Sequence, residues 1–168
     1  GKTIIMVTHD SDKAKRVHRA VIVSDGEVIE EYLARAFSSL TQEQLIWASH
    51  EIEPEQHEPG SVIFHEGSAP DQFYIIAHGS AEVVLKGPDG SDIVASRLTP
   101  GQYFGEIALL RGVERTATVR AGSSGVEVIT LSREVFDRLV SGAPDLKSQM
   151  QQVAHDRTGQ IRTIKRTR

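Results

Sequence analysis

A glutamate and an arginine stand nine positions apart in one glycine-bracketed segment, Phe104-Gly105-Glu106-Ile107-Ala108-Leu109-Leu110-Arg111-Gly112-Val113-Glu114-Arg115-Thr116-Ala117-Thr118-Val119-Arg120-Ala121. Gly105 precedes a run of good helix formers and Gly112 stops it, which gives one short helix between strands. The first N–H groups of a helix lack intrahelical acceptors and carry partial positive charge, so a phosphate is a natural ligand there. Gly105 has no Cβ to hold a ligand away from the backbone. Arg115, just past the loop, supplies a bidentate, charge-assisted contact to the same phosphate. An acidic residue beside an anion makes sense only if it serves another part of the ligand, and Glu106 suits a sugar hydroxyl. The chemistry indicated is recognition of a phosphorylated sugar. The plainer alternative is a surface Arg115–Glu106 ion pair worth at most about 1 kcal/mol, and it leaves the glycine placement unexplained.

The surrounding elements must hold that segment in place. Leu40-Thr41-Gln42-Glu43-Gln44 places a Thr cap before acceptable helix formers, so a short helix is expected over Thr41 to Ser49. Short strands separated by turn signals follow: Ser61 to His65, Phe73 to His78, Ala81 to Lys86, Ile93 to Leu98, Thr116 to Ala121 and Val126 to Leu131. Gly87-Pro88-Asp89-Gly90 is a hairpin loop, and the close spacing of strands points to an all-β barrel or jelly roll rather than βαβ units. Phe64, Phe73, Ile75, Val83 and Val119 read as barrel core. Ser132 caps a helix to Val140, with Glu134 in its first turn. A second helix is expected from Ala143 to about Ile164, with Pro144 near its start and Gly159 weakening it. The fold class is therefore mainly β with flanking helices, a double-stranded β-helix or jelly-roll barrel carrying a short phosphate-segment helix and C-terminal helices.

Bulk properties narrow the function. The 168 residues suit one ordinary domain plus a short extra piece, with a hydrophobic fraction of 39% and 25% charged residues. The absence of cysteine excludes disulfides, thiol catalysis and cysteine-ligated metal sites, and fits a cytoplasmic setting. A net charge of −4 argues against nucleic acid as the main partner. No apolar run approaches the roughly 20 residues of a membrane-spanning helix, and no secretory signal opens the chain. His9, His50, His57, His65 and His78 lack helix-face ligand spacing, so no metal is expected.

The segment from Phe104 to Ala121 resembles the phosphate-binding cassette of cyclic-nucleotide-binding domains, the family of the bacterial catabolite activator, cyclic-nucleotide-dependent kinases and cyclic-nucleotide-gated channels. The family pattern F-G-E-x-A-L, a spacer and R-[AST]-A-x-[VI]-x-A is complete here. Gly60, Gly67, Gly79 and Pro100-Gly101 match the family's turns, and the similarity runs from about Phe37 to Val153. It implies that Arg115 pairs with the cyclic phosphate and that Glu106 accepts the ribose 2′-OH. It also implies that Gly105 and the backbone N–H groups of Ile107, Ala108 and Ala117 line the phosphate, with a hydroxyl from Thr116. Val83 and Arg97 lie on strands that run beside the base in the family, and Ile161 or a neighbour on the last helix caps it. The implied ligand is cAMP, with cGMP compatible with Thr116, and no cofactor is implied.

Before this region the chain has a different character, changing near Tyr32 to Ser38. Thr3-Ile4-Ile5-Met6-Val7-Thr8 reads as a buried strand, Asp10-Ser11-Asp12 as the cap of a helix to about His18, Ala20 to Ser24 as a strand, and Asp25-Gly26 as a hairpin turn into Glu27 to Ile29. Some thirty residues of this kind cannot bury a sheet alone, and the chain opens on Gly rather than Met, so it reads as a piece of something longer. Thr3 to Asp10 with Ala14, Arg19 and Asp25-Gly26-Glu27 resembles the end of an ABC-transporter ATPase domain, which makes His9 its switch histidine; its other nucleotide-binding and catalytic motifs are absent. The expected organisation is residues 1–33 as that fragment and 36–168 as the cyclic-nucleotide-binding domain, joined by a linker from Glu30 to Phe37. The expected partners are a cyclic nucleotide, the rest of the ATPase domain and a transporter membrane subunit, with the protein cytoplasmic, at the inner face of a membrane; a homodimer is left open. The competing reading is a catabolite-activator-type transcription regulator without its helix-turn-helix. The basic tail Arg157, Arg162, Lys165, Arg166 and Arg168 reads as a solvated terminus, and nothing near the cassette supplies the metal cluster or base of an enzyme.

Overall fold

A computed structural model describes residues 21–24 and 27–166. His9 and the strand and helix expected over residues 3–18 lie outside them. The described chain begins with an antiparallel pair, β1 (Val21–Ser24) and β2 (Glu27–Glu30), in the register Val21 to Glu30. Two helices follow, α1 (Glu31–Ala36) and α2 (Gln42–His50). Then come β3 (Glu53–His57), β4 (Val62–Phe64), β5 (Gln72–Lys86), β6 (Asp92–Leu98), β7 (Tyr103–Phe104), α3 (Glu106–Arg111), β8 (Thr118–Ser132), α4 (Arg133–Gly142) and α5 (Pro144–Arg166). The six later strands form one antiparallel sheet in the order β3-β8-β5-β6, with β4 on β8 and β7 on β5.

Two expected strand pairs are each one strand of 15 residues. Phe73 to His78 and Ala81 to Lys86 join as β5, and the last two expected strands join as β8. The glycines bend these strands without ending them. Gly79 has φ of +77°, and a Cβ there would stand 2.3 Å from the Gly125 carbonyl oxygen on β8. The two backbones touch there, and register shifts on both sides of Gly79 curve the sheet.

Strand alternation then divides the core. On β5, Phe73, Ile75 and Ala77 face the helices, where they meet Leu33, Phe37, Phe136, Leu146 and Met150. Tyr74 and Ile76 face the interior of the roll with Leu98, Phe104, Val119 and Val128. Phe73 and Ile75 are therefore core residues beneath the helices rather than inside the barrel. Phe73 is the hub of that side, stacked on Phe37 at 5.6 Å and Phe136 at 5.0 Å between ring centroids.

The helix signals are realised closely. Thr41 forms a capping box with Gln44, and Ser132 accepts from the Val135 N–H at 3.3 Å. α5 runs 23 residues through Gly159, held by Leu146, Met150 and Ala154 on its buried side. Tertiary packing offsets the cost of about 1 kcal/mol for a mid-helix glycine. Three elements are additional, the two-residue β7 beside β5 being the shortest. β3 has no apolar alternation in Glu53-Pro54-Glu55-Gln56-His57, and exists because β8 offers it an edge. α1 occupies the stretch expected as a linker, and its Leu33 is fully buried beside Phe37.

Candidate functional site

A cavity lies between the cassette, the β5–β6 wall and α5. The cassette contributes Gly105, Glu106, Ile107, Ala108, Arg115, Thr116 and Ala117, and the wall includes Val83, Ala95, Ser96 and Leu98. α5 closes the mouth with Arg157, Gln160 and Ile161. Nine of the ten ligand-contact residues expected from the sequence thus share one cavity.

Arg97 is the exception. The antiparallel register pairs Val83 with Ser96 and Glu82 with Arg97, so the face that puts Val83 in the cavity puts Arg97 outside it. Its guanidinium reaches Glu82 at 3.0 Å on the outer surface, and its side chain is 73% exposed. Ser96, one residue away, lines the cavity instead.

Gly105 opens α3 in a left-handed conformation, with φ of +91°. A Cβ there would stand 2.8 Å from a guanidinium nitrogen of Arg115 and 3.2 Å from the Gln72 carbonyl oxygen, so glycine is required by both conformation and space. Glycine lets the cassette backbone close onto Arg115.

Arg115 is 2% exposed. It donates to the Gln72 carbonyl at 2.7 Å, the Gly105 carbonyl at 3.1 Å and the Asp71 carboxylate at 3.2 Å. Its guanidinium lies over the Phe64 ring at 4.2 Å, and its Nε–H has no partner among the described residues. Burial pulls its pKa below the ordinary arginine value, opposed by the nearby Tyr74 and Asp71. Burial likewise pushes the Tyr74 hydroxyl up to about 12. Asp71, whose side chain is 76% exposed, is a solvated partner for a desolvated cation. A buried guanidinium that retains an unused donor on a cavity wall has capacity for an anion.

Glu106 is 1% exposed, and it does not pair with Arg115. Arg157 of α5 donates to Glu106 Oε1 at 2.8 Å and to the Tyr103 carbonyl at 2.8 Å. Burial raises the Glu106 pKa above its ordinary value, and Arg157 works against that shift. The lining holds two cations, Arg115 and Arg157, and one carboxylate, with Asp71 paired to Arg115 from outside it. Arg157 was legible in the sequence only as part of a basic tail. Its spacing of four from Ile161 puts both on one helical face, the one available signal. Across the mouth, Lys165 of α5 pairs at 2.6 Å with Glu66, in the loop between β4 and β5. That loop also encloses Arg115 through paired backbone bonds at Gly67 and Ser68. No group of three or more potential metal ligands occurs among the described residues, nor is any described helix long and apolar enough to cross a membrane.

The roll, the cassette and the helical cover together are those of a ligand-sensing domain. A family model for the cyclic nucleotide-binding domain matches residues 54–142, more than half of the chain, and the chain belongs to that family. Among curated relatives, a cAMP-dependent protein kinase regulatory subunit of Yarrowia lipolytica is 43% identical over 88 residues, covering 52% of this chain and 22% of the relative. Isozyme 1 of the cGMP-dependent protein kinase of Drosophila melanogaster is 35% identical over 115 residues, covering 66% of this chain and 15% of the relative. The chain thus spans less than a quarter of the length of these two relatives. The regulatory domain of Toxoplasma gondii PKA, solved with cAMP, superposes with a TM-score of 0.65 at 28% identity, over 72% of this chain and 47% of that one. The fold is therefore the antiparallel roll with flanking helices of that family.

Proposed function

We propose that this chain is a regulatory sensor for a purine 3′,5′-cyclic nucleotide, with cAMP the favoured ligand and cGMP compatible with Thr116. The observation that carries the reading is Arg115, a buried cation on the cavity wall with an unused donor, nine residues from a buried carboxylate on the same wall. A cyclic phosphodiester carries a single negative charge, which suits a buried guanidinium that keeps an unused donor and whose carboxylate partner, Asp71, is solvated. Arg115 binds that phosphate with the N–H groups of Ile107, Ala108 and Ala117, while Glu106 accepts the one ribose hydroxyl left free by cyclisation. The site binds and does not react: its residues supply positioned donors and acceptors. Regulation follows because Glu106 contacts both the ligand and α5, through Arg157, so ligand binding biases how α5 sits.

Calorimetric titration with cAMP and with cGMP tests this. Micromolar binding of either, abolished by Arg115→Leu, is the expected result; no heat with either nucleotide overturns it.

The regulated partner is proposed from sequence alone. The run Thr3 to Asp10 with Asp25-Gly26-Glu27 supports an ABC-type ATPase domain ahead of this one, at the inner face of a membrane beside a transporter subunit. ATPase activity of the longer protein that is identical with and without saturating ligand overturns that coupling.

A further inference from the structure

Phe64 does more than fill the roll. Its side chain lines the same cavity as Arg115 and is only partly buried. The central carbon of the Arg115 guanidinium stands 4.2 Å from the Phe64 ring centroid, against 5.6 Å from that of Tyr74.

The short strand β4 sets this contact. Its register on β8 shifts between Val62 and Phe64, an irregularity of the kind that re-aims a side chain. Phe64 also packs on Tyr74 and Phe104, at 5.6 and 5.8 Å between ring centroids, which fixes its own orientation. The loop after β4 then clasps the Arg115 backbone. The Gly67 N–H donates to the Arg115 carbonyl at 2.8 Å, and the Arg115 N–H donates to the Ser68 carbonyl at 2.9 Å. One stretch of five residues thus holds both the backbone and the guanidinium of Arg115.

A guanidinium carries all its donors in its plane and none on its faces. The carbonyls of Gln72 and Gly105 and the carboxylate of Asp71 engage its two terminal nitrogens. Such in-plane bonds resist tilting less than a ring laid on the face does. The electron-rich ring also offsets part of the desolvation of the cation, and this attraction grows where water is excluded. A guanidinium kept in one orientation meets little ordering cost when an anion arrives. Its affinity is then not reduced by time spent in other orientations.

Resting on the reading of Arg115 as the phosphate ligand, we propose that Phe64 is a positioning residue for ligand binding: through a cation–π contact it keeps the Arg115 guanidinium ready for the cyclic phosphate. An aliphatic side chain in its place fills the space without supplying that contact.

Fluorination of the Phe64 ring tests this, because each fluorine withdraws charge from the ring face and leaves its shape almost unchanged. The chain carrying one, two or three fluorines on Phe64 is titrated with cAMP, alongside Phe64→Leu. Expected is a stepwise loss of affinity that reaches about 2- to 30-fold in Phe64→Leu, the span of a cation–π contact from exposed to desolvated. The Arg115 side-chain proton resonances, shielded by the ring in the free wild-type chain, move downfield in Phe64→Leu. Affinity that stays flat across the fluorinated series, whether or not Phe64→Leu weakens binding, would mean that the ring only packs. Arg115 resonances that do not move would mean that the two groups do not meet in solution. Either result overturns the inference while the sensor reading stands, and absence of cAMP binding by the wild-type chain overturns both together.

Discussion

Glu106 of α3 and Arg157 of α5 meet at 2.8 Å, 51 positions apart in the chain, with the carboxylate only 1% exposed. This pair fastens the last helix to the ligand cassette. Removing the arginine leaves a buried carboxylate without its cationic partner. Arg157→Met is expected to destabilise the fold by about 1.5–3 kcal/mol, the range for a charge-assisted hydrogen bond. It is also expected to speed ligand release, read as a faster stopped-flow dissociation rate. An unchanged thermal midpoint and an unchanged rate together would show that α5 is held elsewhere.

The same carboxylate sets a pH dependence. Burial is the main cause that holds Glu106 above its ordinary value of 4.5. An acid whose pKa is higher in the folded state carries extra protons there, so its contribution to stability is present at low pH and is lost as pH rises through the folded value. The ionised form is the one that pairs with Arg157 and accepts a ribose hydroxyl most strongly. Affinity for cAMP is therefore expected to increase as pH rises through the folded-state value of Glu106, which lies above the ordinary one. Glu106→Gln flattens that profile, and 2′-deoxy-cAMP shows little of it with the wild-type chain. A pH profile shared equally by both ligands would assign the effect to another group.

Arg115→Leu is expected to reduce cyclic-nucleotide affinity by about 2–5 kcal/mol, a factor of tens to thousands. The same change strands the Gln72 and Gly105 carbonyls, so its thermal midpoint should fall as well. Arg115→Lys separates the two effects: it keeps the charge but loses the planar fork. Lysine restoring full affinity would show that charge alone suffices.

Two glycines of the cassette should behave differently. Gly105→Ala meets a left-handed backbone and the guanidinium of Arg115 at 2.8 Å. Gly112→Ala meets a left-handed backbone, φ +64°, with nothing within 4 Å. Each is expected to cost about 1–2 kcal/mol of stability through backbone strain, but only Gly105→Ala displaces Arg115 and weakens ligand binding. Denaturant melts paired with titrations check both, and equal affinities would remove the steric role of Gly105.

Phe73 joins the sheet to the helices, with ring contacts to Phe37, Phe136 and, at 5.3 Å, Tyr103. Phe73→Ala is expected to cost about 3–5 kcal/mol, a large share of the stability of a small domain. Urea unfolding measures it. A loss below about 1 kcal/mol would mean that the helices are secured independently of this ring cluster.

Features that act over a few positions were decided by the sequence alone. The cassette glycines, the Thr41 and Ser132 caps and the turns at Gly60, Gly67 and Gly101 were legible because each answers to local sterics or a local hydrogen bond; all three of those turn glycines have positive φ. The pairing of Glu106 with Arg157 was not legible, because helix-face spacing says which residues share a face but not what that face meets. β3 was invisible because its strand character comes from β8, far along the chain, and not from its own polar residues. Arg97 was misplaced for a related reason: the face it occupies is set by which residue of β5 it stands opposite. Backbone conformation is a short-range property, whereas strand parity, helix seating and the burial of a charge are fixed only when distant segments pack together, and here that packing decides which side chains line the site.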